Sequence, residues 1–201
     1  MLQNVVERVS RAELIDEVFV ACPCGDGPEI ADATNAIVYY PAIEENDLIG
    51  RFLACAKQFK ADFIIRICSD NPVVEPGEID HLVLNRDAMG SNILLMNSEY
   101  PRWNHDGFGG ELYSKEMLEW MDRVIKYPVY REHPHKFWID MECFSYCGKP
   151  YPPGFRLDIN TQADYEKVKR IFDHFGHNHF TVKEAMEFLG SQDLEKLNLP
   201  A

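Results

Sequence analysis

The stretch "FIIRICSDNPVVEPGEID", residues 63–80, decides the fold. It opens with a nearly continuous apolar, β-branched run, which is typical of a strand in a parallel sheet covered by helices on both sides. The run ends at Ser69 and Asp70, and Pro72 follows, so the strand ladder stops there. Pro76 then fits the first turn of a helix, where proline is tolerated. The stretch therefore predicts a strand that is followed by a helix after a polar turn.

The same alternation of strands and helices extends outward in both directions. The predicted strands are residues 17–21, 36–40, 62–68, 92–96, 111–113, 136–143 and 156–159. The predicted helices are residues 1–12, 29–34, 46–60, 75–85, 115–126, 162–175 and 181–189. In the first helix the apolar residues recur at helical spacing, and Arg8 is expected to point outward. The pattern predicts an α/β fold with a mostly parallel mixed sheet between two helical layers. We expect one domain over residues 1–201, with 181–201 as a C-terminal helix and tail.

The composition restricts the classes of partner. Among 201 residues, 33 are acidic and 20 are basic, which gives a formal net charge of −13. Such a surface argues against nucleic-acid binding, which needs a basic footprint, but it is compatible with a small anionic ligand in a local basic pocket. No apolar run approaches a membrane span and no signal-peptide pattern is present, so we expect a cytoplasmic protein without membrane contact. The six cysteines are interpreted as reduced thiols, since their spacings fit no standard zinc module.

Asp70 lies where a central strand is predicted to end. In α/β sheets, ligands bind beyond the carboxyl ends of the strands, so a carboxylate at this position would face the ligand crevice. Asp70 could hold Mg²⁺, which neutralises the charge of a nucleotide triphosphate. An Asp-Asn-Pro turn, with the side chain bonded to the backbone, explains the same residues without a ligand. The residues alone leave both interpretations open.

A second polar cluster, "RLDINT", occupies residues 156–161 at another predicted strand end. Because side chains alternate along a strand, Asp158 and Asn160 are expected on one face, and either could approach a metal held by Asp70. The alternative is that Asn160 or Thr161 simply caps the following helix. Taken alone, the cluster favours capping.

The glycine-containing loop at residues 99–110 is a candidate binding segment, because loops of this kind often carry binding residues. Trp103 and Phe108 could stack on a base or a sugar, or they could anchor a solvent-facing loop in the core. Asp106 within the loop and Glu111 just after it add two carboxylates.

The histidines favour structural interpretations. His133 and His135 flank a proline and are interpreted as surface polar groups rather than metal ligands. The histidine run at residues 174–179 follows a predicted helix, and a C-cap at Gly176 explains it better than a metal site does.

Taken in order, these segments resemble the cytidylyltransferases of the spore-coat-polysaccharide type, which are related to the acylneuraminate and 3-deoxy-manno-octulosonate cytidylyltransferases. The resemblance covers almost the whole chain. Its strongest part is "ENDLIGRFLACAKQFKADFIIRICSDNPVVEPGEIDHLV". Its other parts are "VVERVSRAELIDEVFVAC", "YPRWNHDGFGGELYSKEMLEWM", "HPHKF" and "FRLDINTQADYEKVKRIFDHF". No one motif is decisive, but the ordered set is specific.

The resemblance implies a Rossmann-like nucleotidyltransferase fold of the GT-A type. It also implies that CTP and a sugar or sugar acid are the substrates, in the synthesis of a surface polysaccharide. In that reaction a sugar hydroxyl attacks the α-phosphorus and pyrophosphate leaves, while Mg²⁺ stabilises the developing charge. Related proteins pair through the segment after the sugar-side loop, which implies a homodimer.

Residue by residue, the resemblance gives Asp70 the role of the aspartate that binds metal and nucleotide. The family's second aspartate falls on Asn160, and a neutral amide is a weaker ligand for Mg²⁺ than a carboxylate. Asp158, two residues earlier, is the candidate substitute as second catalytic metal ligand. The substrate-binding positions implied by the same match are Asp47, Arg51, Arg66, Asp106, Glu111 and Asn160.

The beginning of the sequence departs from the family pattern. Family members open with a buried strand and a basic loop that cradles the triphosphate, whereas this sequence begins with "MLQNVVERV". The family's strand lies between the counterparts of residues 17–21 and 62–68, so its absence leaves two inner sheet edges without partners. We expect an N-terminally truncated chain with impaired activity, or a non-catalytic homologue that binds a sugar nucleotide or a partner chain. The two edges would then pair directly or accept a strand from a partner.

Overall fold

A computed structural model of the chain describes residues 1–88, 94–96, 107, 109–146 and 156–197. Its helices are α1 (Leu2–Val9), α2 (Gly27–Ala33), α3 (Leu48–Gln58), α4 (Pro76–Asn85), α5 (Lys115–Val124), α6 (Pro128–Glu132), α7 (Pro134–Asp140), α8 (Gln162–Phe175) and α9 (Val182–Leu197). Its strands are β1 (Phe19–Ala21), β2 (Ile37–Tyr39), β3 (Phe63–Arg66), β4 (Leu94–Met96), β5 (Glu111–Ser114) and β6 (Phe144–Tyr146). No helix within these ranges is long and apolar enough to cross a membrane.

The strands form two sheets. β1 and β2 pair in parallel, with Phe19 opposite Ile37. The second sheet has the order β3-β5-β4-β6, in which β5 runs antiparallel to both of its neighbours and β4 is parallel to β6. Therefore β3, β4 and β6 share one direction and β5 is the antiparallel member. This confirms the predicted α/β fold with a mostly parallel mixed sheet.

Helices cover both faces of β3. Consecutive strand residues point to opposite faces of a sheet. Ile64 packs on one side into a core built largely by α3 and α5, which includes Phe52. Ile65 packs on the other side with Val5 of α1 and Ile79 of α4. The result is the predicted arrangement of three layers, with the sheet in the middle.

A second core joins the last two helices to the turn after β3. Val73 of this turn and Leu157 pack with Val168 of α8 and Val182, the first residue of α9. The turn that contains Asp70 is therefore held by the C-terminal part of the chain as well as by its own strand.

The helix boundaries follow their capping residues. Ser114 accepts a hydrogen bond from the backbone N–H of Met117 at 3.1 Å and starts α5, as predicted. Thr161 and Asp164 form a capping box at the start of α8. Gly176, in the left-handed conformation, ends α8, so the predicted C-cap is confirmed.

The prediction of a strand at residues 136–143 is wrong. The chain forms α7 there, and β6 begins only at Phe144. Pro134 occupies the first turn of α7, where its fixed φ angle is favourable. Trp138 is buried, and its Nε1–H donates to the sulfur of Met121 on α5 at 3.4 Å. A short apolar run is compatible with either a helix or a strand, and packing against α5 selects the helix.

Residues 156–159 do not form the predicted strand either. Arg156 makes only an isolated bridge, and the backbone is irregular from there to α8. One hydrogen bond resembles strand pairing, since the N–H of Ile159 donates to the carbonyl of Asp70 at 2.9 Å. The alternation of residues 156–159 is therefore not accompanied by a strand ladder in the part of the chain that the structure describes.

Arg8 is fully buried, so the expectation that it points outward is wrong. Its Nε donates to the carbonyl of Val74 at 2.7 Å, and its Nη1 donates to the carbonyl of Phe180 at 2.9 Å and that of Asn178 at 3.1 Å. The guanidinium also lies over the Phe180 ring, 4.8 Å from its centroid. A cation thus anchors α1 in the core, a role that hydropathy does not reveal.

The two sheets are not joined by strand pairing. Within the residues that the structure describes, β1 pairs only with β2 and β3 pairs only with β5. A cleft of about 770 Å³ lies between β1 and β3. The edges of β1 and β3 were expected either to pair directly or to accept a strand from a partner. The expectation of direct pairing is wrong.

Candidate active site

Asp70 lies in a tight turn just beyond the carboxyl end of β3. The turn forms as predicted, with the N–H of Asn71 donating to the carbonyl of Cys68 at 3.1 Å. The Oδ1 atom of Asp70 is buried and has no hydrogen-bond partner among the described residues. Burial raises the pKa of Asp70, and the negative charge of Asp158 raises it further. The turn and a ligand-binding role are therefore compatible, because the turn leaves one carboxylate oxygen unused.

Asp158 is the second carboxylate of this region, and it is buried. The Nε and Nη2 atoms of Arg156 donate to its Oδ1 and Oδ2 at 3.0 and 2.5 Å. The side-chain amide of Asn160 also donates to Oδ2. The structure thus brings Asp70, Asp158 and Asn160 together, although through an irregular segment rather than a strand.

Asp70 fits a divalent cation better than Asp158 does. The unpartnered oxygen of Asp70 is a hard ligand of the kind that Mg²⁺ prefers, whereas both oxygens of Asp158 are engaged by Arg156 and Asn160. No group of three or more His, Cys, Asp or Glu side chains in the described ranges could hold a metal ion. Mg²⁺ is often held by one or two carboxylates together with substrate phosphates, and this donor set fits that pattern.

Glu111 is the centre of a buried polar cluster at the start of β5. Its Oε1 accepts from Nη1 of Arg66 at 2.6 Å and lies 3.1 Å from Nδ1 of His135, while its Oε2 accepts from the Tyr113 hydroxyl at 2.5 Å. Burial raises the pKa of Glu111, but the Arg66 charge and the His135 and Tyr113 contacts outweigh burial and lower it to about 2. Glu111 is therefore ionised throughout the physiological pH range, and it orients Arg66.

The interpretation of His135 as a surface polar group is wrong. Only 12% of its side chain is exposed, and the ring contacts Glu111. Its neighbour His133 is 39% exposed. The sequence around Pro134 gives no sign that one of these histidines is buried and the other exposed.

Asp47 and Arg51 lie at the start of α3. Asp47 caps the helix by accepting from the N–H of Gly50 at 2.9 Å, and it binds Nε and Nη2 of Arg131 at 2.9 and 2.7 Å. Arg51 donates to the carbonyl of Glu45 at 2.6 Å and lines the same cleft as Asp70. Both residues thus have structural contacts here, and their roles in substrate binding stay predictions.

The loop with Asp106, Trp103 and Phe108 lies outside the described residues, apart from its glycines. Gly107 has a φ of +105°, and a Cβ added to it would lie 2.2 Å from the backbone nitrogen of Asp158. The backbone next to Asp106 therefore lies against the Asp158 segment. A side chain at position 107 would push the two apart.

Replacing Gly107 by alanine is expected to destabilise the protein more than replacing Gly176 by alanine. Both glycines have positive φ, which costs alanine about 1–2 kcal/mol, but a Cβ at Gly176 would meet no atom within 4 Å. At Gly107 the overlap with backbone adds about 1–3 kcal/mol. Urea unfolding of the two variants measures the difference, and equal losses would show that the close approach of Gly107 to Asp158 does not exist.

Comparison with known proteins identifies the family. The family model described as "Cytidylyltransferase" matches residues 1–171. A cytidylyltransferase from Leptospira borgpetersenii serovar Hardjo-bovis has a similar structure, with a TM-score of 0.83 and 25% identity, over 100% of this chain and 87% of that chain. An uncharacterised protein of Methanocaldococcus jannaschii is 25% identical over 94% of this chain and 79% of its own length.

Two relatives carry functional names. The spore coat polysaccharide biosynthesis protein of Bacillus subtilis is 25% identical over 66% of this chain and 56% of its own length. The 3-deoxy-manno-octulosonate cytidylyltransferase of Geobacter metallireducens is 31% identical over 41% of this chain and 33% of its own length. The matches thus span about half of the first relative and a third of the second. The family match over residues 1–171 confirms the resemblance read from the sequence, and the chain belongs to the cytidylyltransferase family.

Proposed function

We propose that the protein transfers CMP from CTP to a sugar or sugar acid during the synthesis of a surface polysaccharide. A sugar hydroxyl would attack the α-phosphorus of CTP, and pyrophosphate would leave. The observation that carries the proposal is that the partly buried Asp70 and the buried Asp158 lie close together beyond the carboxyl end of β3 in a chain of this family. The names of the Bacillus and Geobacter relatives support the sugar side of the reaction.

In this proposal Asp70 would hold Mg²⁺ through its unpartnered oxygen, and Asp158 would join it only after release by Arg156. The ion would neutralise charge on the triphosphate. Glu111 keeps Arg66 in one orientation on β3, where the guanidinium can bind an anionic group of a substrate.

Replacing Asp70 by asparagine is expected to weaken Mg²⁺-dependent CTP binding at least tenfold, because the variant loses its free carboxylate. Isothermal titration with CTP, with and without Mg²⁺, measures this loss. The variant should fold as stably as the wild type or more so, since it removes a partly buried charge next to Asp158. The matched control is Asp87→Asn, whose side chain is 86% exposed. Equal CTP affinity for both variants would remove Asp70 from the site.

A second candidate function is binding of a sugar nucleotide without turnover. One observation favours it, since Arg156 engages both oxygens of Asp158. The resemblance read from the sequence agrees, because it places the family's second aspartate at Asn160. Pyrophosphate release, assayed with CTP, Mg²⁺ and a panel of sugar acids, separates the two functions. Release that depends on a sugar acid supports transfer, whereas CTP binding without release supports the binding protein.

A further inference from the structure

Arg156 binds the second carboxylate of the candidate site from the solvent side. Its Nε and Nη2 atoms donate to Oδ1 and Oδ2 of Asp158 at 3.0 and 2.5 Å, which is the two-pronged geometry of a strong guanidinium–carboxylate pair. The same planar fork also matches the oxygen atoms of a phosphate. Asp158 is buried, whereas 52% of the Arg156 side chain is exposed. The buried acid is therefore paired with a cation that reaches into water.

The backbone that carries this pair is held by other contacts. The carbonyl of Arg156 accepts a hydrogen bond from Nζ of Lys167 on α8 at 2.9 Å. At the other end of the segment, the N–H of Ile159 donates to the carbonyl of Asp70 at 2.9 Å. The guanidinium can therefore turn away while residues 156–159 stay in place. Because water solvates the released guanidinium, this pair opens at a lower cost than a pair that is buried on both sides.

Release of Arg156 leaves one oxygen of Asp158 open. In the described ranges, Oδ1 of Asp158 accepts only from Arg156, whereas Oδ2 also accepts from the side-chain amide of Asn160. The amide therefore keeps the carboxylate in place after the guanidinium has left, and it adds no charge. Asp70 already offers a buried oxygen without a partner in the part of the chain that the structure describes. Arg156 thus decides whether the site offers one open carboxylate oxygen or two.

We propose that Arg156 is an exchangeable counter-ion: it occupies Asp158 before substrate binds, and it moves to the phosphates of CTP when Asp70 and Asp158 take a divalent cation. Every charge keeps a partner in this exchange, because the metal replaces Arg156 on Asp158 and the triphosphate replaces Asp158 on Arg156. Metal and nucleotide therefore favour each other's binding. This inference rests on the proposed Mg²⁺-dependent binding of CTP and adds how that binding is regulated.

The first measurement uses Mn²⁺ without nucleotide, since Mn²⁺ takes the same oxygen ligands as Mg²⁺. Arg156→Met releases Asp158, so its affinity for Mn²⁺ in isothermal titration is expected to rise about tenfold. Arg170→Met removes the same charge from the exposed surface of α8 and is the matched control, which should bind Mn²⁺ as the wild type does. In an Asp158→Asn background, Arg156→Met should leave the Mn²⁺ affinity unchanged, because its effect acts through that carboxylate.

The second measurement titrates CTP at saturating Mn²⁺. Arg156→Met lacks the guanidinium that contacts the phosphates, so its affinity for CTP is expected to fall about tenfold. Arg156→Lys keeps a cation and should recover part of this loss. A merely structural role of Arg156 would weaken the binding of both ligands together, whereas the exchange requires opposite changes in the two affinities.

Different results overturn the exchange and the proposed function. Equal Mn²⁺ affinity of the wild type and Arg156→Met, or weaker binding of both ligands to this variant, overturns the exchange and leaves the metal site at Asp70 in place. Opposite changes in the two affinities support the exchange even where no sugar acid releases pyrophosphate. If neither the wild type nor Arg156→Met binds Mn²⁺, both the exchange and the proposed metal site are overturned.

Discussion

Replacing Glu111 by glutamine is expected to lower the free energy of unfolding by about 3 kcal/mol at pH 7. The carboxylate is buried and accepts hydrogen bonds from Arg66 and Tyr113, so a neutral amide removes the negative charge that the Arg66 cation contacts. Breaking one side of a buried ion pair is far more costly than losing an exposed pair. Urea unfolding of the wild type and the variant measures the loss.

The loss should also depend on pH. The pKa of Glu111 is lowered from 4.5 to about 2 in the folded protein. A carboxyl with a lowered pKa contributes stability above its unfolded-state pKa and loses that contribution as the pH falls through its folded-state pKa. The unfolding free energies of the wild type and E111Q should therefore converge between about pH 5 and pH 2. Glu119→Gln, on the exposed face of α5, is the matched control and should change stability by less than about 0.5 kcal/mol. A deficit that stays constant down to pH 3 would contradict this role of Glu111.

The features that the sequence predicted correctly depend on local patterns. The apolar run before Asp70 indicated a strand covered on both faces, and Ile64 and Ile65 do pack on opposite sides. The hydroxyl of Ser114 can accept a hydrogen bond from a helix N-terminus, and Gly176 can adopt the left-handed conformation that ends a helix. Both caps could therefore be predicted from the residue type alone. Local propensity and tertiary packing agree at these positions.

The features that could not be predicted depend on contacts between distant segments. Nothing near His135 indicates Glu111, because the contact arises when α7 packs beside β5. Arg131 binds Asp47 from 84 residues away, through α6, and its ion pair anchors the start of α3. Likewise, the alternation of residues 156–159 predicts a strand, but the segment instead contacts the turn after β3 through the hydrogen bond from Ile159 to Asp70. A single sequence without its fold does not reveal such pairs.

Replacing Arg8 by methionine is expected to cost about 3–5 kcal/mol of stability, although Arg8 lies in no predicted site. The guanidinium satisfies buried carbonyls of Val74, Asn178 and Phe180, and each carbonyl left without a donor costs about 1–3 kcal/mol. Burial lowers the pKa of Arg8 to about 10, so the side chain is still charged at neutral pH. These contacts hold α1 against the turn after β3 and the segment before α9.

Lysine at position 8 tests whether the geometry of the guanidinium matters beyond its charge. Arg8→Lys keeps a cation but loses the planar fork that reaches three carbonyls, so it should recover less than half of the loss in Arg8→Met. Arg123→Met, on the exposed surface of α5, is the matched control and should lie within about 0.5 kcal/mol of the wild type. Urea unfolding compares the four proteins. If Arg8→Met unfolds within 1 kcal/mol of the wild type, the hydrogen bonds of Arg8 do not anchor α1, and burial of its apolar residues alone must hold the helix.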